Sequence, residues 1–289
     1  MEIQKASRKK VKLKLNISGV SGSGKTMGAL LVAKGLVGDL SKVVVIDSEN
    51  SSASLYEHIG EFSALDLTAP YSPERYNEAI ALAVKSGFEC VIIDSVSHEW
   101  AGAGGVCEIN ENLANLKYKG NSWSAWNEST PRHQKFIDTI LQSNIHVITC
   151  CRSKMETVMG EGKKVHKVGM KDIQREGWEY ELSVSFQIDR DNHRVIVQKD
   201  RTELFKEDGF ILSEEVGIQL REWCEKGVNY VKPLPTPTVA ILNKLCAKIT
   251  SGENEKEYVI EQALKHYTLS EENINVLNSC EFTPNETNE

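Results

Sequence analysis

Gly19-Val20-Ser21-Gly22-Ser23-Gly24-Lys25-Thr26 is the stretch of this chain that decides its fold. It matches the pattern G-x-x-x-x-G-K-[ST], which forms a phosphate-binding loop between a strand and a helix. Both flanks fit, because residues 11–17 alternate between apolar and polar, as in a strand, and residues 27–37 are rich in Ala, Leu and Val, as in a helix. The pattern predicts a P-loop, with Met27 completing the nucleotide-binding set at the start of the helix.

These residues also supply the chemistry of an anion site. Backbone N–H groups of a glycine-rich turn, together with the N-terminus of the following helix, point at one phosphate group. Lys25 can reach the β- and γ-phosphates of a nucleotide, and the hydroxyl of Thr26 can bind Mg²⁺. ATP and Mg²⁺ are therefore the expected ligands.

Length and composition are those of a globular protein. The chain has 289 residues, of which 40% are hydrophobic and 26% charged, and its net charge is −7. The length suits one large domain or two, and no apolar run approaches the roughly 20 residues that cross a bilayer. The basic N-terminus lacks the apolar region of a signal peptide. These features predict a cytoplasmic protein that has no membrane partner.

The seven cysteines give no sign of a metal or redox site. None forms a C-x-x-C pair, which argues against zinc binding and thiol exchange. Cys150 and Cys151 are adjacent in an apolar segment, where buried structural thiols are expected. A reducing compartment fits this cysteine usage best.

Strand-like and helix-like segments alternate along the chain, which favours a parallel α/β sheet. Helices are predicted at 73–85 and 131–143, because a proline opens each segment. Segments 183–188 and 195–199 alternate like an antiparallel hairpin. Buried or short strands are predicted at residues 42–47, 64–67, 90–94 and 145–151.

Two segments have compositions typical of loops. Residues 101–121 contain many Gly and Asn, and residues 153–177 contain four glycines and little apolar periodicity. Both are expected to be long loops, the first with room for a short helix and the second mobile. Residues 152–175 carry seven Lys or Arg against three acids, so the second loop is basic.

Composition divides the chain into four parts. A basic segment at 1–10 precedes the α/β core, which is predicted at 11–227. Prolines at 233, 235 and 237 mark a stiff linker at 228–238. Apolar residues at helical spacing then predict a small acidic helical segment at 239–289.

Two strands that end in acids supply a candidate metal ligand and a candidate base. Asp94 would face the P-loop and could hold Mg²⁺ together with Thr26. The simpler alternative is that the Asp94 carboxylate only caps the turn that follows the strand. Glu49 follows the second strand and is the candidate for orienting the attacking water. Glu99 competes for that role, but it would require the strand before it to continue.

Lys199 and Arg201 form a pair of cations on the last hairpin strand. Residues two apart in a strand point to the same face. The pair could neutralise charge on a phosphoryl group held by a neighbouring subunit. An edge strand blunted by charged side chains explains the spacing equally well.

This order of motifs resembles that of the RecA-type recombinase ATPases, and more narrowly that of the phage-encoded RecA-like ATPases. The resemblance covers roughly residues 11–212, and its carriers besides the P-loop are Ile-Asp-Ser-Glu at 46–49, Val-Ile-Ile-Asp-Ser at 91–95 and Lys-x-Arg at 199–201. It implies an α/β fold with a RecA-like P-loop core. In that fold helices flank a mostly parallel central sheet, an antiparallel hairpin follows, and a small helical segment lies at the C-terminus.

The resemblance also implies roles for particular residues. Glu49 would polarise the attacking water, and Asp94 would help to position Mg²⁺. Lys199 and Arg201 would reach the nucleotide of the neighbouring protomer in a ring or filament. RecA proteins usually carry a glutamine that senses the γ-phosphate where this chain has Cys150-Cys151-Arg152, and Arg152 is the expected substitute.

Single-stranded DNA is the macromolecular partner that the resemblance implies, bound by residues 101–121 and 153–175. Trp123 and Trp126 could stack on bases, although packing in the core is the favoured interpretation, and Trp178 and Trp223 are also expected in the core. The cations expected to bind backbone phosphates are Arg152, Lys154, Lys163, Lys164 and Lys167.

The sequence as a whole predicts a Mg²⁺-dependent ATPase that binds single-stranded DNA and acts in the recombination, annealing or repair of phage DNA in the host cytoplasm. Its expected catalytic residues are Lys25, Glu49, Lys199 and Arg201. It would form a homo-oligomer with shared nucleotide sites, and a single-strand-binding or replication protein would be a further partner. The alternative is a nucleotide-gated loader or regulator of a protein partner with slow turnover. A small-molecule phosphotransferase is less favoured, because no arginine-rich lid is evident.

Overall fold

The structure of the protein is a computed structural model that describes residues 10–159, 165–226 and 235–281. The described residues fall into two compact units, one within Met1–Val228 and the other within Asn229–Glu289. The first unit combines strands and helices, and the second consists of helices.

The first unit is built on a sheet of mostly parallel strands. In chain order they are β1 Lys14–Gly19, β2 Val43–Asp47, β3 Ser63–Asp66, β4 Cys90–Asp94, β5 His146–Met159, β6 Val165–Asp172, β7 Val184–Ile188 and β8 Val195–Asp200. Across the sheet the order is β3-β2-β4-β5-β1-β7-β8. Its pairs are parallel except for two antiparallel hairpins, β7 with β8 and β5 with β6, so the predicted α/β fold class is confirmed.

Helices cover both faces of this sheet. They are α1 Lys25–Val37, α2 Pro73–Lys85, α3 Val96–Ala101, α4 Val106–Lys117, α5 Ser122–Gln142, α6 Trp178–Glu181 and α7 Glu214–Glu225, with 3₁₀ helices at Leu40–Lys42 and Ser52–Ile59. One core cluster packs α1 and α7 against the sheet, and a second packs α2 and α5 against it. Strands β1, β2 and β4 are buried along their whole length, as the apolar runs of β2 and β4 require, whereas β1 also buries the polar side chains of Lys14, Asn16 and Ser18.

Close packing of α1 against α7 depends on two glycines. A Cβ atom at Gly35 would lie 1.9 Å from the carbonyl oxygen of Glu214, and one at Gly217 would lie 2.1 Å from that of Val32. Any larger residue would therefore push the two helices apart. This contact fixes the helix that begins at the P-loop.

The prediction of a loop at residues 101–121 was wrong in most of its length. The helix α4 occupies Val106–Lys117 and buries Val106, Asn110 and Ala114. The Asn110 side chain accepts a hydrogen bond from the Ser129 hydroxyl at 2.8 Å and donates one to the Ser122 hydroxyl at 2.8 Å. Asn110, whose residue type favoured a loop, thus forms buried hydrogen bonds between α4 and α5.

The helix predicted to start at Pro131 begins nine residues earlier, at Ser122. Asn121 caps it, because its side-chain oxygen accepts a hydrogen bond from the backbone N–H of Ser124 at 3.1 Å. Pro131 lies inside the helix, where a proline removes one helical hydrogen bond. Trp123 and Trp126 therefore lie on the first turns of α5. Trp123 is 87% exposed, so the interpretation of that residue as a core residue was wrong.

The mobile loop predicted at residues 153–177 contains a long antiparallel hairpin instead. After leaving the sheet, β5 continues as far as Met159 and pairs with β6, from Ser153 opposite Asp172 to Met159 opposite Val165. Trp178 is only 2% exposed and Trp223 packs against the core, as predicted, and the thiols of Cys150 and Cys151 are fully buried.

The second unit contains α8 Val239–Thr250, α9 Lys256–His266 and α10 Glu271–Ser279, around a small core of Ile249, Val259 and Leu277. Cys246 and Cys280 form a disulfide in this unit, with their Cα atoms 5.8 Å apart. The two cysteines are 34 residues apart in the sequence, and no motif predicted that they would pair. Among the helices that the structure describes, none is long and apolar enough to cross a membrane.

Candidate nucleotide-binding site

The P-loop joins the end of β1 to the start of α1. Gly22 and Gly24 have φ values of 79° and 94°, a left-handed conformation that side chains disfavour. The Lys25 amine is buried and donates a hydrogen bond to the carbonyl oxygen of Val20 at 2.9 Å. The buried hydroxyl of Ser23 has no hydrogen-bond partner in the described part of the chain. The loop thus holds donors that a phosphate oxygen can accept from.

Thr26 and Asp94 meet beside this loop, although one strand, β5, lies between β1 and β4. The Thr26 hydroxyl donates a hydrogen bond of 2.6 Å to the Asp94 carboxylate. Burial raises the pKa of Asp94 to about 6, and the hydrogen bond from Thr26 opposes that shift. The parallel register places Asp94 at the same edge of the sheet as Asp47, where strands of α/β proteins present their ligands.

This pair of oxygen donors fits Mg²⁺, a hard cation that is usually bound by one or two protein oxygens together with phosphate oxygens and water. No group of three or more His, Cys, Asp or Glu that could hold a metal occurs in residues 10–159, 165–226 and 235–281. Thr26 and Asp94 would therefore supply only part of the shell, and a bound nucleotide would supply much of the rest.

Glu49 reaches the same pocket from the end of β2. Its carboxylate accepts a bidentate pair of hydrogen bonds from Arg152, one of them from Nε to Oε1 at 2.7 Å and the other from the terminal nitrogen to Oε2. Burial alone would raise the pKa of Glu49, but the hydrogen bonds and charge of Arg152 hold it below its ordinary value. Asp47, the other acid at this strand end, instead accepts from the backbone N–H groups of Glu49 and Ala53 at 2.6 and 2.7 Å.

Glu99 lies outside the pocket. It is fully buried on α3, where its carboxylate accepts hydrogen bonds from His133 at 3.0 Å and from the amide of Gln174 at 3.3 Å. Burial raises the pKa of Glu99. Of the two acids proposed to orient water, only Glu49 lines the cavity. This cavity of about 200 Å³ is lined by Ser21, Gly22, Gly24, Lys25, Thr26, Glu49, Ser52, Tyr56, Asp94 and Arg152.

The short helix α3 supports the pocket from behind. The Ser97 hydroxyl accepts from the backbone N–H of Arg152 at 2.8 Å, and Nδ1 of His98 lies 2.8 Å from the Ser48 hydroxyl. The ring of Tyr71 stacks on His98, with ring centroids 4.9 Å apart. Burial lowers the pKa of His98, which favours the neutral ring. No sequence motif marked these residues, because their partners lie about 50 residues away in the chain.

His193 is another contact that sequence reasoning missed. It lies in the turn between β7 and β8, and its Nδ1 donates a hydrogen bond of 3.0 Å to the Ser23 carbonyl oxygen in the P-loop. Only the sheet order, which puts β7 next to β1, brings this turn to the nucleotide site.

The candidate DNA-binding cations are only partly described. Arg152 lies at the base of the β5–β6 hairpin and Lys154 is exposed on it, whereas Lys163 and Lys164 fall outside the described residues. Lys167 lies on β6, opposite Thr157, and its side chain is outside the described part. The basic segment predicted at 1–10 is likewise described only at Lys10.

Lys199 and Arg201 are not at the P-loop of their own chain. Because β8 runs antiparallel to β7, its C-terminal end lies at the opposite edge of the sheet from the P-loop. Lys199 donates a hydrogen bond to the Tyr180 carbonyl oxygen, and the backbone N–H of Arg201 donates to Ser183 at 3.0 Å. A role in ATP turnover would require a second copy of the chain and stays a prediction.

A P-loop at the end of β1, a Thr–Asp pair across the sheet and an acid on the next strand define a P-loop nucleotide-binding protein. Comparison with protein families agrees, because a family model described as an AAA domain matches residues 11–205, about two thirds of the chain. The chain belongs to this AAA domain family of P-loop ATPases. No curated protein matches it. The narrower resemblance to phage RecA-like ATPases stays a prediction.

Proposed function

We propose that the protein is a Mg²⁺-dependent ATPase that binds single-stranded DNA and acts in the recombination, annealing or repair of phage DNA. One observation carries the link between the two activities. Glu49, the acid in the nucleotide pocket, is held by Arg152, and Arg152 is the residue from which the basic β5–β6 hairpin leaves the sheet.

ATP would bind with its phosphates on the P-loop. Lys25 would exchange the Val20 carbonyl for the β- and γ-phosphate oxygens. Thr26 and Asp94 would hold Mg²⁺, which when bound neutralises charge that develops on the phosphates. The burial of Lys25 and Asp94 excludes much of the water that would screen their charges.

Glu49 would orient the attacking water only after Arg152 releases it. The guanidinium occupies one lone-pair site on each oxygen of Glu49, and its charge and hydrogen bonds lower the pKa of the carboxylate, which makes it a weaker base for a water proton. A DNA phosphate at the base of the hairpin would compete with Glu49 for Arg152. DNA binding would then free the carboxylate, and hydrolysis would rise.

Lys199 and Arg201 would complete the site of a neighbouring protomer. Two features support this: β8 is the last strand in the sheet order, and Arg201 is exposed there. A shared site predicts that turnover per protomer falls on dilution, because the neighbour that supplies the two cations dissociates.

The test is ATP hydrolysis with and without an oligo(dT) strand at two protein concentrations, with Lys25→Ala as the inactive reference. The informative variant is Arg152→Ala. We expect it to hydrolyse ATP faster than the wild type without DNA and to lose stimulation by DNA, because nothing then restrains Glu49. Lys34→Ala, which removes a cation that pairs with Glu214 on α7 at 2.9 Å, is the matched control and should behave as the wild type.

Two results would contradict the proposal. If Arg152→Ala abolishes hydrolysis under all conditions, Arg152 acts on the nucleotide itself and does not restrain Glu49. If the wild type hydrolyses ATP at the same rate with and without DNA and binds no oligonucleotide, the DNA-binding role is wrong. A nucleotide-gated loader of a protein partner would then be the better explanation.

A further inference from the structure

A second cavity, of about 650 Å³, lies beside α3 and α5, away from the nucleotide pocket. Three indole rings line it: Trp100 on α3, and Trp123 and Trp126 on α5. The rings of Trp100 and Trp126 are stacked, with centroids 5.7 Å apart and planes at 17° to each other. Trp123 stands at the opening and is 87% exposed.

Core packing does not account for Trp123. Trp178 has the environment of a core tryptophan, since it is 2% exposed and donates its indole N–H to Asn16 at 3.1 Å. Most of the large apolar surface of Trp123 is exposed to water, which costs free energy that a buried tryptophan does not lose. One largely exposed ring beside two half-buried rings, all lining a cavity, instead marks a binding surface.

The walls of the cavity are held in place by buried hydrogen bonds. Glu99 and His133 join α3 to α5 at 3.0 Å directly beside the indoles. The Gln174 amide donates to the Val96 carbonyl oxygen at 3.0 Å and so fixes the segment that follows β6 against α3. The cavity is therefore preformed, and a ligand would find its walls already ordered.

The polar part of the lining indicates what kind of ligand fits. Arg175 and Glu176 line the cavity from the segment after β6, and Asn127 and Thr130 line it from α5. Arg175 is the last of the seven cations between residues 152 and 175, against three acids in the same stretch. Flat apolar rings next to a cation-rich hairpin match unstacked bases joined by phosphates. The Glu176 carboxylate can accept a hydrogen bond from an amino group of a base.

We propose that this tryptophan cavity is a subsite in which bases of a single-stranded nucleic acid stack on Trp123, Trp126 and Trp100, while Lys154 and Arg175 hold the phosphates. The inference rests on the proposed function to the extent that the protein must bind single strands. It adds the site and the mode of binding, which is stacking and is therefore tolerant of base sequence.

The test uses the full-length protein and a fluorescent twenty-nucleotide oligo(dT), with affinity measured by anisotropy. Trp123→Ala should weaken binding about tenfold, since one stacked base contributes roughly that factor. Trp123→Phe should recover most of the affinity. Leu116→Ala, which removes an apolar side chain that is 89% exposed on α4, is the matched control and should bind as the wild type does.

Two further readouts separate stacking from other causes. The dependence of affinity on salt should be the same in Trp123→Ala as in the wild type, because no phosphate contact is lost, whereas Lys154→Ala should lower it. Intrinsic tryptophan fluorescence of the wild type should be quenched by the oligonucleotide, and Trp123→Phe should show less quenching.

The possible failures can be told apart. If the wild type binds no single strand, both the proposed function and this subsite are wrong. If the wild type binds and Trp123→Ala binds equally well without loss of quenching, the protein binds DNA but the subsite is wrong. If Trp123→Ala instead abolishes self-association in sedimentation without changing affinity for DNA, the cavity is a protein interface and the subsite is overturned.

Discussion

The nucleotide pocket and the tryptophan cavity are both next to α3, yet they are built in different ways. The pocket has a volume of about 200 Å³ and takes most of its lining from one continuous motif and from strand ends. The cavity has a volume of about 650 Å³ and is assembled from α3, α5 and the segment after β6, with no motif in any of them. A continuous motif encodes its own backbone geometry, whereas the cavity exists only once three segments have packed together.

The helix α3 connects the two regions. Ser97 and His98 contact the side of the nucleotide pocket, through Arg152 and Ser48 respectively. The next two residues, Glu99 and Trp100, belong to the frame and the lining of the tryptophan cavity. The two glutamates therefore differ in environment: Glu49 lines the nucleotide pocket, whereas Glu99 is buried outside it and joins α3 to α5.

The first prediction concerns Glu49, and its failure would remove the distinction between Glu49 and Glu99. Glu49→Gln should lower ATP turnover by about 10³-fold, because the amide cannot accept a proton from the attacking water, while binding of a fluorescent ATP analogue should change little. Stopped-flow binding and steady-state hydrolysis measure the two effects. Glu57→Gln, an exposed residue of the neighbouring 3₁₀ helix, is the matched control and should leave both unchanged.

A second prediction addresses the structural glutamate. Glu99→Ala should lower the free energy of unfolding by about 3 kcal/mol, because it leaves His133 without its buried acceptor and removes one of the two acceptors of the Gln174 amide. Urea denaturation measures this change, and the affinity for oligo(dT) should fall with it as the cavity walls loosen. Unchanged stability together with lost ATP turnover would instead make Glu99 the acid that orients water.

The smallest expected effect concerns a histidine that belongs to neither region. His146 begins β5 and accepts a hydrogen bond from the Leu13 N–H at 3.0 Å, so it must be neutral. Burial, with smaller contributions from Lys12 and Lys14, lowers the pKa of His146 from 6.5 to about 3. Below pH 6.5 the unfolded state therefore binds a proton at His146 that the folded state does not bind. The free energy of unfolding is unaffected by this group above pH 6.5 and decreases as the pH falls from 6.5 towards 3.

Between pH 7 and pH 5 this difference should cost the wild type about 2 kcal/mol of stability. Urea denaturation at the two pH values, compared with His146→Gln, isolates the contribution from the other titrating groups. The variant should lose less stability than the wild type on acidification, whereas His58→Gln, an exposed control, should lose as much. Equal losses in all three proteins would mean that the pKa of His146 is the same in the folded and unfolded states.

Much of the fold could be predicted because its signals are local. The P-loop requires glycines at fixed positions. Strands β2 and β4 are mostly apolar runs, so they could be predicted as strands without knowing which strands lie beside them. Residues 101–121 and 153–177 were misjudged because their stabilising contacts are remote in sequence. Asn110 is buried by α5, and β5 is extended beyond the sheet only by its pairing with β6.

The sequence by itself therefore determined the phosphate-binding loop, the alternation of strands and helices, and the acids that end β2 and β4, since each depends on a few neighbouring residues. Only the tertiary structure decided that Arg152 holds Glu49, that Glu99 is paired with His133, and that three tryptophans surround one cavity. Those contacts join residues many positions apart, and no local pattern constrains which side chains meet when a parallel sheet brings distant strand ends to one edge.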